Sequence, residues 1–132
     1  MRSVVIAALL AVGVGFATAP VTAHHAFAAE FDRDKPVTLV GKVTKIEWVN
    51  PHTWIHMEVT GKDGKVVAWR IEGGAPNQLM RRGWNRNSIK VGEQITVDGF
   101  LAKDGSPTAN GTQVKTADGR IFGAASSAQA SN

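Results

Sequence analysis

The chain has 132 residues, 15 Lys and Arg against 11 Asp and Glu for a formal net charge of +4, and no cysteine. That length is one small domain, and the missing cysteines exclude a disulfide framework, a thiolate zinc site and a lipid-bearing N-terminal cysteine. A surplus this small, spread along the chain, leaves no electrostatic footprint for DNA or RNA, so nucleic acid is not expected as a partner.

The first residues read as an export signal: Arg2 is the positive start, Val4 to Phe16 the apolar run, and Ala17 to Ala23 a small-residue exit. The apolar run is too short to span a membrane stably. Ala17-Thr18-Ala19 would place Pro20 just after the cut, whereas Val21-Thr22-Ala23 leaves His24 first, so residues 1–23 are expected to be removed after Ala23. The product is then an exported protein, periplasmic or secreted. No later stretch has membrane length, so no integral membrane segment is expected after cleavage.

Residues 24–36 form an N-terminal arm. Phe27 and Phe31 are spaced i, i+4, which suits a helical turn or an irregular arm whose aromatics dock on the domain while Glu30, Asp32 and Arg33 stay solvated. From residue 37 to 123 the chain reads as strands separated by Gly-Asp turns. The first, Val37 to Val49, changes phase at Thr44-Lys45, as a β-bulge would make it do. The second, His52 to Thr60, places Thr53, Ile55, Met57 and Val59 on one face and His52, Trp54, His56 and Glu58 on the other.

Lys62-Asp63-Gly64 matches a three-residue hairpin loop with glycine in the left-handed position. This sets Val59 against Val67, Met57 against Trp69 and Ile55 against Ile71 as an inner layer, with His56 opposite Arg70 and Trp54 opposite Glu72 outside. Gly73-Gly74 ends the third strand, and a short helix follows from Ala75-Pro76 to Arg81-Arg82, stopping at Gly83. Strands are expected again at Gln94 to Ala102, within Thr108 to Thr116, and briefly at Arg120 to Phe122. Residues 124–132 are a low-complexity tail, expected to be disordered.

The order is that of a mostly β, OB-fold-like five-stranded Greek-key barrel with one short helix between strands three and four. A small β-sandwich is the rival arrangement. The opening His24-His25-Ala26-Phe27, the run Trp48-Val49-Asn50-Pro51-His52-Thr53-Trp54, the run Glu72-Gly73-Gly74-Ala75-Pro76-Asn77, and Arg81-Arg82-Gly83-Trp84 together resemble domain-of-unknown-function family 6152, small exported bacterial proteins. The resemblance implies a single small exported β domain and carries no activity with it.

Function is therefore read from residues. An N-terminal histidine offers its amine and ring Nδ1 to one metal ion, and neutral imidazole suits copper. His24 is expected to form one end of a copper site, or a site for another transition metal, with His52 or His56 as a third donor. His52 and His56 lie roughly 13 Å apart along one strand, so one of them, His52 in preference, would complete it. Phe27 and Phe31 packed over Trp54 would bring His24 toward that strand.

The alternative is a binding module without metal, which takes a peptide, glycan or small organic ligand on the face carrying Trp54, His56, Arg70 and Glu72. The competing reading of that face is that the arm itself covers it, with Glu30 or Asp32 near Arg70. An enzyme is not favoured, because Glu58 and Glu72 are a carboxylate pair with no nucleophile motif beside them.

Overall fold

A computed structural model describes residues 26–126, and residues 1–25, among them the expected export signal, His24 and His25, and residues 127–132 lie outside the described part. Its elements are a helical turn α1 (26–30), strands β1 (Phe31–Glu47), β2 (Trp54–Thr60) and β3 (Val66–Glu72), helix α2 (Pro76–Arg81), and strands β4 (Gln94–Ala102), β5 (Thr108–Thr116) and β6 (Ile121–Gly123). The strands pair in the order β3-β2-β1-β4-β5-β6 in one sheet, and a further pairing of β3 with β5 brings the bonding back on itself as a ring. That order is the OB-like one expected from the sequence, with β6 appended outside the ring. All ladders are antiparallel except β3–β5, where Arg70, Ile71 and Glu72 run parallel to Thr108, Ala109 and Asn110.

Local chemistry sets the register of the β2–β3 hairpin. Gly64 takes φ 76°, the left-handed conformation that glycine adopts without a Cβ clash, and the Gly61 N–H donates to Lys65 O at 2.8 Å to close the loop. Val59 then faces Val67, Met57 faces Trp69, Ile55 faces Ile71, His56 faces Arg70 and Trp54 faces Glu72, all as the turn residues require. The β-bulge in β1 is also where the phase change placed it: Val43 pairs with Met57 and Lys45 with His56, leaving Thr44 as the extra residue. After the bulge Glu47 pairs with Trp54, so the outer face of β2 meets an acidic neighbour on β1.

The ring encloses Val43, Ile55, Met57, Ile71, Ile95, Val97 and Val114, each no more than 3% exposed. Helix α2 and the chain after it close one end with Leu79, Trp84 and Ile89, which join the same core. Burying Leu79 contributes about 2 kcal/mol on area grounds alone. Trp84 stacks obliquely on Phe122 at 4.9 Å between ring centroids and edge-on to Trp48 at 6.0 Å.

Two boundaries differ from expectation. β1 begins at Phe31 and not Val37, because Phe31 pairs with Ala102 across a register slip that precedes Pro36; the charged, exposed residues between them hide the strand from a hydrophobic pattern. The packed domain also runs past Gly123. Ala124 is 2% and Ser126 5% exposed, held by Ala124 N–H to Thr112 O at 2.8 Å and Gly74 N–H to Ala124 O at 2.9 Å. Gly73-Gly74 makes room for this strap, since a Cβ on Gly74 would sit 3.0 Å from Ala125 O. Trp84 Nε1 ties the same segment down by donating to Gly123 O at 2.8 Å.

Candidate functional site

The arm docks, but not where it was expected. Phe27 and Phe31 are 4% and 3% exposed and form a second apolar cluster with Phe100 and Ala102, not with Trp54. Phe27 lies 5.6 Å from Phe31 and 6.0 Å from Phe100, edge-on to the latter, and the Arg33 guanidinium covers its ring at 5.0 Å. Two donors of Lys103 staple α1 to the β4–β5 turn: its N–H bonds Glu30 O at 2.9 Å and its Nζ bonds Ala28 O. Aromatic packing beyond area burial is worth about 1 kcal/mol per pair, so this short arm is fixed well enough to serve as a wall.

Between the arm, the β4–β5 turn and the outer face of β2–β3 lies a groove of about 850 Å³. Trp54 and Arg70 line it from the sheet, Glu30 and Phe31 from the arm side, and Lys103 and Pro107 from the turn. The Arg70 N–H donates to Pro107 O at 3.0 Å, which holds β3 to that turn. The Arg70 guanidinium lies over the Trp54 ring at 4.4 Å. This stacking explains the outward tryptophan: Trp54 is covered by a cation from its own sheet, one register step along the hairpin.

The two strand histidines are drawn to different carboxylates. In the sheet Trp54 stands between Glu47 on β1 and Glu72 on β3. His52 Nδ1 lies 3.2 Å from Glu72 Oε1, and His56 Nε2 lies 2.7 Å from Glu47 Oε2. They share no partner, in keeping with their separation along the chain. Among the described residues no group of three or more His, Asp or Glu side chains is placed to hold a metal ion, and His24 lies outside those residues.

The two carboxylates have opposite electrostatics. Glu47 is half-buried, and hydrogen bonds from Lys45 and then His56 hold its carboxyl down at about 2. Glu72 is buried, 5% exposed, and desolvation pushes its carboxyl up from 4.5 to about 7, with the Glu30 charge adding to the rise. The Asn110 amide, which donates to Glu72 Oε1 at 3.4 Å, and the Arg70 charge oppose that rise without cancelling it. Glu58, the expected partner of Glu72 in a carboxylate pair, is exposed and sits across from Ala68, well down the hairpin from the Trp54–Glu72 step.

The residues named from sequence thus divide. Trp54, Arg70 and Glu72 gather at one place, and His52 joins them through Glu72. His56 is turned away toward β1. Glu47 and Asn110 were missed. Glu47 was recoverable, since counting outward from the bulge at Thr44 places it beside Trp54. Asn110 was not, because it reaches Glu72 only through the parallel β3–β5 pairing, which leaves no local trace in sequence.

Among the described residues no helix is long and apolar enough to cross a membrane. No curated protein matches the sequence. Residues 12–113, a span that includes His52, Trp54, Arg70 and Glu72, match the family of unknown function DUF6152, and the chain belongs to that family.

Proposed function

We propose that the protein is an exported binding module that takes a small organic ligand in the groove between the docked arm and the β2–β3 face. The observation that carries this is the open groove of about 850 Å³ walled by Trp54 beneath the Arg70 guanidinium. Its size falls in the range of small-molecule sites, and it combines apolar walls with a few fixed polar groups. The arm, the turn and the sheet are each tied to one another by backbone hydrogen bonds, so little ordering is left to oppose binding. Export rests on the leader pattern at residues 1–23.

Indole, a neutral planar probe, tests the groove. It is expected to shift the backbone amide resonances of Ala29, Ala68, Arg70 and Thr108 in the wild type. Trp54→Ala is expected to stay folded, since its ring is not part of the enclosed core, and to weaken the probe by about tenfold or more. Shifts scattered elsewhere, or equal binding by the variant, would remove the groove as the site.

A second reading is favoured by one contact. His52 Nδ1 faces the Glu72 carboxylate, and metal-ligating histidines commonly bind a carboxylate through one ring nitrogen while the other takes the metal. On this reading His52 Nε2 and the amine and ring of a mature His24 hold copper. Protein beginning at His24 is expected to bind one Cu(II) at least about 100-fold more tightly than protein extended by one methionine, as followed by competition titration. Equal affinities would sink the N-terminal chelate.

A further inference from the structure

We propose that the ligand of the groove is a zwitterion of amino-acid type, with its carboxylate on Arg70, its ammonium on Glu30 and an apolar side chain along Trp54 and Phe31. This rests on the groove being the binding site. Four charged side chains line that groove: Glu30, Arg70, Lys103 and Asp104. Two of them are already engaged. Lys103 Nζ donates to Ala28 O, and the Ser106 side chain and then its N–H, at 2.9 Å from Asp104 Oδ1, hold the Asp104 carboxyl below the ordinary range.

Glu30 and Arg70 are left. They line one groove from different elements, the arm and β3, and among the described residues neither enters an ion pair, with each other or with any other group. Opposite charges that line one groove without meeting suit a ligand that carries both signs at a fixed separation. A simple anion would pair with Arg70 and leave Glu30 as a repelling neighbour. A simple cation would satisfy Glu30 and meet Arg70.

The geometry of Arg70 supports the carboxylate end. Its guanidinium lies over the Trp54 ring at 4.4 Å, among the described residues it enters no ion pair, and a guanidinium can receive a carboxylate in two parallel hydrogen bonds. Lysine in its place would offer neither the plane nor the fork. At the other end, the Glu30 charge already acts on Glu72, so an ammonium placed at Glu30 relieves a repulsion between two carboxyls as well as forming a pair. Phe31, Ala68, Ala102 and Pro107 add apolar lining to the same groove.

L-phenylalanine and its two halves, 3-phenylpropionate and phenethylamine, separate the parts of the proposal by calorimetry and amide shifts on the intact domain. L-phenylalanine is expected to bind at least about tenfold more tightly than either half. Arg70→Gln is expected to weaken L-phenylalanine and 3-phenylpropionate by about tenfold or more and to leave phenethylamine within about twofold; Glu30→Gln is expected to do the converse. Both positions are solvent-exposed, so folding is not at issue. If either half binds as tightly as the whole, the zwitterion is wrong and the groove reading stands. If neither these probes nor indole moves a groove resonance, both readings fall.

Discussion

Raising the pH from about 5 to about 8 is expected to cost the folded domain about 2.5 kcal/mol through Glu72 alone, and Glu72→Gln is expected to abolish that loss. The carboxyl titrates at 4.5 in the open chain and is lifted to about 7 in the fold, chiefly because burial disfavours its charged form. Below pH 4.5 it is protonated in both states, and its contribution to stability is fully present. Between 4.5 and about 7 the unfolded chain ionises while the folded one resists, so stability falls as pH rises, and above that it levels off.

The groups that face Glu72 set the size of the effect: His52 and Asn110 in contact, and the charges of Glu30 and Arg70 nearby. Glu47 works in another window, because its carboxyl is depressed to about 2 by Lys45 and His56; its contribution is present above 4.5 and is lost only as pH falls toward 2. Urea midpoints at constant slope, taken across this range for the wild type, Glu72→Gln and His52→Gln, give the answer. A wild type whose stability holds or rises toward pH 8, with Glu72→Gln weaker throughout, would mean that Glu72 is ionised and paired with His52. Persistence of the loss in His52→Gln assigns it to Glu72 and not to the histidine.

What could be read from the sequence follows the range of the interactions. The β2–β3 hairpin was legible to the residue, because Lys62-Asp63-Gly64 fixes the loop and the alternation of Ile55, Met57 and Val59 fixes the face, two local signals that agree. The bulge at Thr44 was legible for the same reason: a phase change in an alternating strand has few other causes. The arm was half legible. The spacing of Phe27 and Phe31 announced docking, but nothing local distinguishes Phe100 from Trp54 as the surface they meet. The C-terminal strap was hidden, because its residues are small and its attachment runs through backbone groups of Gly74 and Thr112.

The site divides along the same line. Trp54, Arg70 and Glu72 share one hairpin and came together on paper. The partners that decide what the site can do come from elsewhere: Asn110 through a parallel pairing, Glu30 through a docked arm, Glu47 through a bulge. Local pattern finds a face, while the electrostatics of that face are written by residues distant in sequence. For this reason Glu72 read from its hairpin as a candidate ligand contact on the outer face, and in the fold it is a buried carboxyl with a raised pKa.

Gly41→Ala and Gly99→Ala are each expected to destabilise the domain by about 3 kcal/mol or more, the scale reached when a side chain is forced into occupied backbone space. Neither glycine has an unusual φ, so the cause is space and not backbone freedom. A Cβ on Gly41 would overlap the Glu58 carbonyl oxygen and lie 2.9 Å from the Met57 Cε. Gly41 stands on β1, which pairs with β4 through Ile95 on one side and with β2 through the neighbouring Lys42 on the other. Moving β2 aside to admit a methyl group therefore strains the ladder just before the bulge at Thr44, where β1 bends to close the ring.

Gly99 marks the matching place on β4. The register slips there because Thr112 is the extra residue on β5, and its Oγ1 donates to Asp98 O at 3.0 Å. A Cβ on Gly99 would overlap the Asn110 carbonyl oxygen. Gly99→Ala thus displaces the residue whose amide reaches Glu72, and it is expected to alter the pH profile of stability as well as its height. Gly41→Ala is expected to lower the whole profile without changing its shape. Gly123→Ala is the control, since a Cβ there meets only Arg82 Cδ at 4.0 Å, and its urea midpoint is expected to correspond to a change within about 0.5 kcal/mol. Wild-type stability in Gly41→Ala would mean that β1 and β2 do not approach this closely, and the ring of strands that positions Trp54 between its two carboxylates would have to be redrawn.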